Sequence, residues 1–190
     1  MTAPDKSILE RVARGISRPG GSAPTGVATS ILTQAAKAYG ARPIFDEATV
    51  PTGFDPAAAA LFEATIEAAF LVANSDGVFD DDERAAFESV VTSACNGQVQ
   101  ITQLSALLAD LSEQLVDDGI EKRTRMVART ITRHDHQLEV LRIAALMAHI
   151  SGGVSDPERA VLDHLARGFD LDAGSIDEAL REAEAALRAV

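Results

Sequence analysis

Tryptophan is missing from these 190 residues, tyrosine occurs once and phenylalanine seven times. So thin an aromatic supply, beside an apolar fraction filled mainly by Ala and Leu, argues against a pleated, β-branched sheet surface and for helices. Cysteine is limited to Cys95, which excludes an internal disulfide and fits a reducing, cytoplasmic setting. No apolar block follows a basic start, so a secretory signal is not expected. The longest uninterrupted apolar stretches, Ala68–Ala73 and Ile143–Ala148, fall well short of the roughly 20 residues that cross a bilayer, so no transmembrane segment is expected. There is no Gly-rich phosphate loop, no Gly-x-Ser-x-Gly elbow and no Cys and His pair with a third partner, so no catalytic residue is assigned and the chain reads as non-enzymatic.

Positive charge is scarce too. Seventeen Lys and Arg face twenty-nine Asp and Glu, for a net charge of −12. Residues 1–43 hold six of the basic and two of the acidic side chains, so the beginning carries +4 and the remainder −16. An acidic body repels phosphate backbones, which excludes nucleic acid as its partner and favours cations or basic proteins.

What is present is helical periodicity. Ile8, Val12 and Ile16 share one face of a short amphipathic stretch over 5–17, with Lys6, Arg11 and Arg14 elsewhere on it. The Pro- and Gly-rich run 18–26 breaks it, a second small helix is expected at about 27–39, and 42–56, with three Pro and a Gly, reads as a linker. The division is therefore a basic arm and linker over 1–55 and a helical domain over 56–190. In that domain, Leu61, Ala64, Ala68, Leu71 and Val72 mark one helix and Ala86, Phe87, Val90 and Val91 the next. Ile101, Leu104, Leu107, Leu108, Leu111 and Leu115 form the clearest stripe, ended by Asp117-Asp118-Gly119. Further helices are expected at about 120–133, 136–150, 156–168 and 174–188. The fold class is all-α, a compact bundle of about seven helices with an N-terminal helical arm.

Sliding the chain by 75 residues lays 71–85 on 146–160 without a gap: Leu, Ala, Gly, Asp, Glu, Arg and Ala coincide, and Val72 meets Met147, Phe79 meets Val154 and Phe87 meets Leu162. An internal repeat of two helical hairpins is expected. Local structure accounts for much of this motif. Gly77 and Gly152 suit helix ends in the left-handed conformation, while Asp80 with Glu83, and Ser155 with Glu158, have capping-box spacing. Asp76 is the acid that capping does not require. With Asp80, Asp81, Asp82 and Glu83 it puts five carboxylates within eight residues, a setting for a hard divalent cation such as Ca²⁺ or Mg²⁺. A normal EF-hand is excluded, because placing Gly77 at loop position six puts Val72 at position one, where an oxygen ligand is needed.

Ala73-Asn-Ser-Asp-Gly-Val-Phe-Asp-Asp-Asp-Glu-Arg84 and its echo at 146–160 resemble the TerB family, named for tellurite resistance protein B, over about residues 56–190. The resemblance implies an all-helical fold with paired acidic turns, a role in a bacterial stress-response complex, cation-binding acids and no enzymatic activity. The family pattern falls on Asp76, Gly77 and Glu83 in the first turn and on Gly152 and Glu158 in the second; Ser151 stands where the second Asp would be. Asp76, Asp80, Glu83 and Glu158 are thus the candidate metal ligands. The other reading is an assembly or adaptor protein recruited through Ile8, Arg11, Val12, Arg14 and Ile16, by a protein partner or, peripherally, an anionic membrane surface.

Three other features are weighed and set lower. His134 and His136, at i and i+2, diverge on a helix. His149 precedes the second turn, where it either joins a shared site or ends a helix. Lys122, Arg125, Arg129 and Arg133 make a basic stripe that suits either an acidic partner or the domain's own acids.

Overall fold

The computed structural model describes residues 30–42, 54–149 and 153–188. Every regular element among them is a helix, eight in all, and none is a strand. In chain order these are α1 (Ile31–Gly40), α2 (Pro56–Ala73), α3 (Asp81–Ala94), α4 (Ile101–Asp118), α5 (Ile120–Thr130), α6 (His134–Met147), α7 (Asp156–Gly168) and α8 (Ala173–Arg188). The expected amphipathic stretch over 5–17 lies outside the described residues.

α2 is the hub, packing against α1, α4, α5, α6 and α7. Its start is fixed by sequence: Asp55 Oδ1 accepts from the amides of Ala57 and Ala58 at 2.9 and 3.3 Å, and Pro56 occupies the first turn where no amide is needed. A helix surrounded by neighbours must be apolar all round, and Phe62, Ile66, Ala68, Phe70, Leu71 and Val72 are fully buried. This corrects one expectation. Uninterrupted apolar runs are short, but Pro56–Ala73 as a whole is long and apolar enough to cross a membrane by length and composition, and most of it is buried inside the fold. Glu63 and Glu67 break the runs without making the helix polar.

Two boundaries shift for one reason. The helices expected at 120–133 and 136–150 are observed at 120–130 and 134–147 because Ile131 leaves the helix in an extended conformation and inserts into the core, fully buried. Gln137 Nε2 donates to its freed carbonyl at 2.9 Å, which ties the break to the next helix.

The largest correction concerns α1. Its sequence neighbours suggest an arm, yet Ile31, Leu32, Ala35, Ala36 and Tyr39 are buried, and the Tyr39 ring lies 4.6 Å from that of Phe62. The linker composition marks where helix breaks, not where the body ends. Two of the buried carboxylates tie helices together across the interior. Glu67 of α2 accepts from Arg123 Nε of α5, and Arg123 Nη1 also donates to Asp118 at 3.2 Å. Glu139 of α6 accepts from Ser30 Oγ and, at 3.0 Å, from the amide of Ile31, so it caps α1 from across the fold.

Candidate functional site

The first acidic turn joins α2 to α3. α2 ends at Asn74, and the chain reverses through Gly77, whose φ of +82° is the left-handed region where a side chain is strained. Asp76 has a local task after all: its Oδ1 accepts from the amide of Val78 at 2.9 Å, closing an Asx turn over the glycine. Asp80 and Glu83 form the expected capping box, with the Glu83 amide donating to Asp80 Oδ1 at 2.9 Å and the Asp80 amide donating to Glu83 Oε2 at 3.3 Å. Phe79, just before Asp80, packs edge-to-face on Phe70 and Phe87, anchoring the turn to α2 and α3. Arg84, the one base nearby in sequence, lies 5.4 Å above the Phe79 ring rather than among the acids.

The second turn repeats the cap with different residues. The Glu158 amide donates to Ser155 Oγ at 3.3 Å and the Ser155 amide donates to Glu158 Oε2 at 2.6 Å, with Pro157 in the first turn of α7. Ser151 and Gly152 lie outside the described residues. Some positions 75 apart share their burial: Leu71 and Leu146, Val72 and Met147, Phe87 and Leu162, and Val90 and Leu165 are all buried, and Phe79 and Val154 both pack partly buried on the core, whereas Glu83 is half-buried where Glu158 is buried.

The charge of the second turn reaches the first. Burial at its helix start is the main cause holding the Glu83 carboxyl above its ordinary value, and the negative charges of Asp80, Asp76 and Glu158 add to it, against the cap hydrogen bond. Glu158 itself is buried despite its charge. His149, after α6, is pushed below its ordinary value by burial, with Glu184 and Glu158 pulling the other way. Its Nε2 is buried without a hydrogen-bond partner among the described residues.

Proximity in field is not coordination. Among the described residues, no three His, Cys, Asp or Glu side chains come together in a way that could hold a metal ion. Asp76, Asp80, Glu83 and Glu158 each spend an oxygen on a backbone amide instead. Helix capping does not use Asp76, as its spacing implied; the Asx turn over Gly77 does.

The remaining candidates resolve unevenly. Ile8, Arg11, Val12, Arg14 and Ile16 lie outside the described residues. Lys122, Arg125, Arg129 and Arg133 are exposed along and just beyond α5, where Lys122 pairs with Asp118 at 2.6 Å and Arg133 with Asp135 at 2.7 Å. Acids of the same segment thus hold two of these bases, while Arg125 and Glu121 stand 3.9 Å apart. His134 opens α6 on the surface. Glu67, Arg123 and Glu139 were not singled out by spacing; a Glu inside an apolar helical run, as in Thr65-Ile-Glu-Ala-Ala69 and Leu138-Glu-Val-Leu141, was the available signal. The chain matches no family model, no curated protein and no solved structure, so the residues themselves carry the functional reading.

Proposed function

We propose that this chain is a non-enzymatic, TerB-like acidic binding module, built from a duplicated helical hairpin, that works in a bacterial stress-response complex by holding a cationic ligand at its paired turns. One observation carries it: the negative charge of Glu158 in the second turn reaches Glu83 of the first, beside those of Asp76 and Asp80, while Arg84 faces an aromatic ring. Matching burial at the apolar pairs Leu71 and Leu146, Val72 and Met147, Phe87 and Leu162, and Val90 and Leu165 supports the duplication. Like charges gathered at one place cost stability, and a bound cation removes that cost. Because the acids are spread along two helix starts rather than gathered into a coordination shell, a basic face of a protein partner suits them better than a preassembled Ca²⁺ or Mg²⁺ centre.

The test is calorimetric titration of the full chain with Ca²⁺, Mg²⁺, Zn²⁺ and an arginine-rich peptide, repeated with Asp76→Asn and Glu83→Gln. Both substitutions remove a charge and keep an acceptor for the turn or cap. The peptide is expected to bind in low salt and to weaken several-fold with either variant. Absence of heat with every metal removes the ion-binding version, and absence of peptide binding as well removes the module reading.

A second reading draws on the same hydrogen bonds, which give Asp76, Asp80, Glu83 and Glu158 a complete structural task. In it the turns only shape the hairpins, and an adaptor is recruited through Lys6 to Ile16. Deleting residues 1–26 and repeating a pull-down separates the two, since unchanged recovery of the partner rejects the arm.

A further inference from the structure

Besides its own cap Ser30, α1 is held at both ends by groups from other parts of the chain. At its start the buried Glu139 of α6 accepts from Ser30 Oγ and the Ile31 amide. A carboxylate 4% exposed is costly unless its oxygens are occupied; here the donors come from α1 and its cap. Along its length Ile31, Leu32, Ala35, Ala36 and Tyr39 are buried, with packing chiefly on α2. At its end Gly40 meets the segment between α3 and α4 so closely that a Cβ there would fall 2.1 Å from the Gln98 carbonyl oxygen. Tyr39 also directs its hydroxyl at the Gln103 carbonyl, 3.5 Å away. An anionic acceptor at one end and a backbone stop at the other set both the length and the sequence of the helix that fits: a hydroxyl cap, apolar residues at i, i+1, i+4, i+5 and i+8, and glycine at i+9.

The chain leading from α1 to α2 is the Pro- and Gly-containing stretch 42–56, whose residues 43–53 could reach about 40 Å if drawn out. A helix that is recognised at both ends and joined to its body by such a segment has the requirements for exchange between copies. We infer that the body carries a measured seat for one ten-residue helix, filled by 30–40 of its own chain and exchangeable with the same segment of a second copy.

The experiment places a protease recognition sequence between residues 43 and 53 of the full chain, cuts it, and adds a fluorescein-labelled peptide of residues 28–42. The native peptide is expected to enter the cut protein and displace the resident fragment, seen as raised anisotropy and release of the fragment on gel filtration. A Gly40→Ala peptide is expected to bind at least tenfold more weakly although alanine favours helix, and a Ser30→Ala peptide several-fold more weakly. These changes leave the body untouched. In parallel, two uncut copies with different tags are expected to co-purify after incubation together at high concentration. Refusal of the peptide, loss of helical signal when the fragment leaves, equal binding of the Gly40→Ala peptide, or absence of mixed-tag dimers would each overturn the inference.

Discussion

At the scale of single residues, the charges that matter most are those whose partner is fixed. Arg123 is buried between Glu67 and Asp118, so Arg123→Leu strands a carboxylate in the core and is expected to cost about 3–5 kcal/mol in urea denaturation. The double change Glu67→Leu with Arg123→Leu is expected to recover most of that loss, because the cost lies in the unpaired charge and not in the missing pair. Glu83 is the opposite case. Its carboxyl lies above its ordinary value chiefly through burial, then through neighbouring negative charge. The folded chain therefore binds more protons than the unfolded one just above pH 4.5, and stability falls as pH rises through that window. Glu83→Gln keeps the cap acceptor, as Gln103 does at the start of α4. It is expected to raise stability at pH 7 by about 0.3 kcal/mol, the scale of relieving one exposed like-charge pair, with the gain vanishing below pH 4.5. A loss of stability at pH 7 would mean that the repulsion is not felt.

At the scale of elements, the starts of α3 and α7 contain their own control experiment. The α7 start is capped by Ser155 where the α3 start uses Asp80, with the same reciprocal Glu in both. Asp80→Ser should therefore leave thermal stability within about 0.5 kcal/mol, whereas Asp80→Ala should cost about 1 kcal/mol. If the turns hold a cationic ligand, both variants weaken its binding equally; if they only cap helices, stability alone separates them. The elements were also where sequence was most legible. Leu104, Leu107, Leu108 and Leu111 are buried as their spacing required, because heptad-like spacing is a direct image of one helical face. Ile101 fits the same spacing and is 55% exposed, since the first residue of α4 stands beyond the neighbours that cover the rest. Capping boxes were legible for the same local reason. The place of α1 in the core was not: its burial depends on Glu139 and Phe62, which are far away in sequence. Nor was the engagement of Asp76, whose partner amide becomes available only once Gly77 has turned the chain.

At the scale of the whole molecule, a net charge of −12 makes the folded state work against itself at neutral pH. Its pH dependence is set by a few groups acting in separate windows. Asp118, held low by hydrogen bonds from Lys122 and Arg123, and Asp135, held low by Arg133, contribute stability that is lost only as pH falls below 3.8. Glu67 and Glu83, both raised mainly by burial, favour the folded state on acidification toward 4.5. His149 acts first on the way down. Burial holds its imidazole below 6.5, so the unfolded chain takes up a proton before the folded one, and stability falls as pH drops below that value. The slope it can supply is bounded by one proton, about 1.4 kcal/mol per pH unit. Replacing His149→Gln removes this titration and leaves the carboxylates in place. Thermal melts of both chains from pH 8 to pH 4 at constant ionic strength should give wild-type stability that declines relative to the variant as pH falls from about 7 to 5, then a constant difference as the glutamates take over. Parallel curves across that range would mean that the imidazole protonates as readily in the folded chain as in the unfolded one, which an Nε2 buried without a partner among the described residues does not allow.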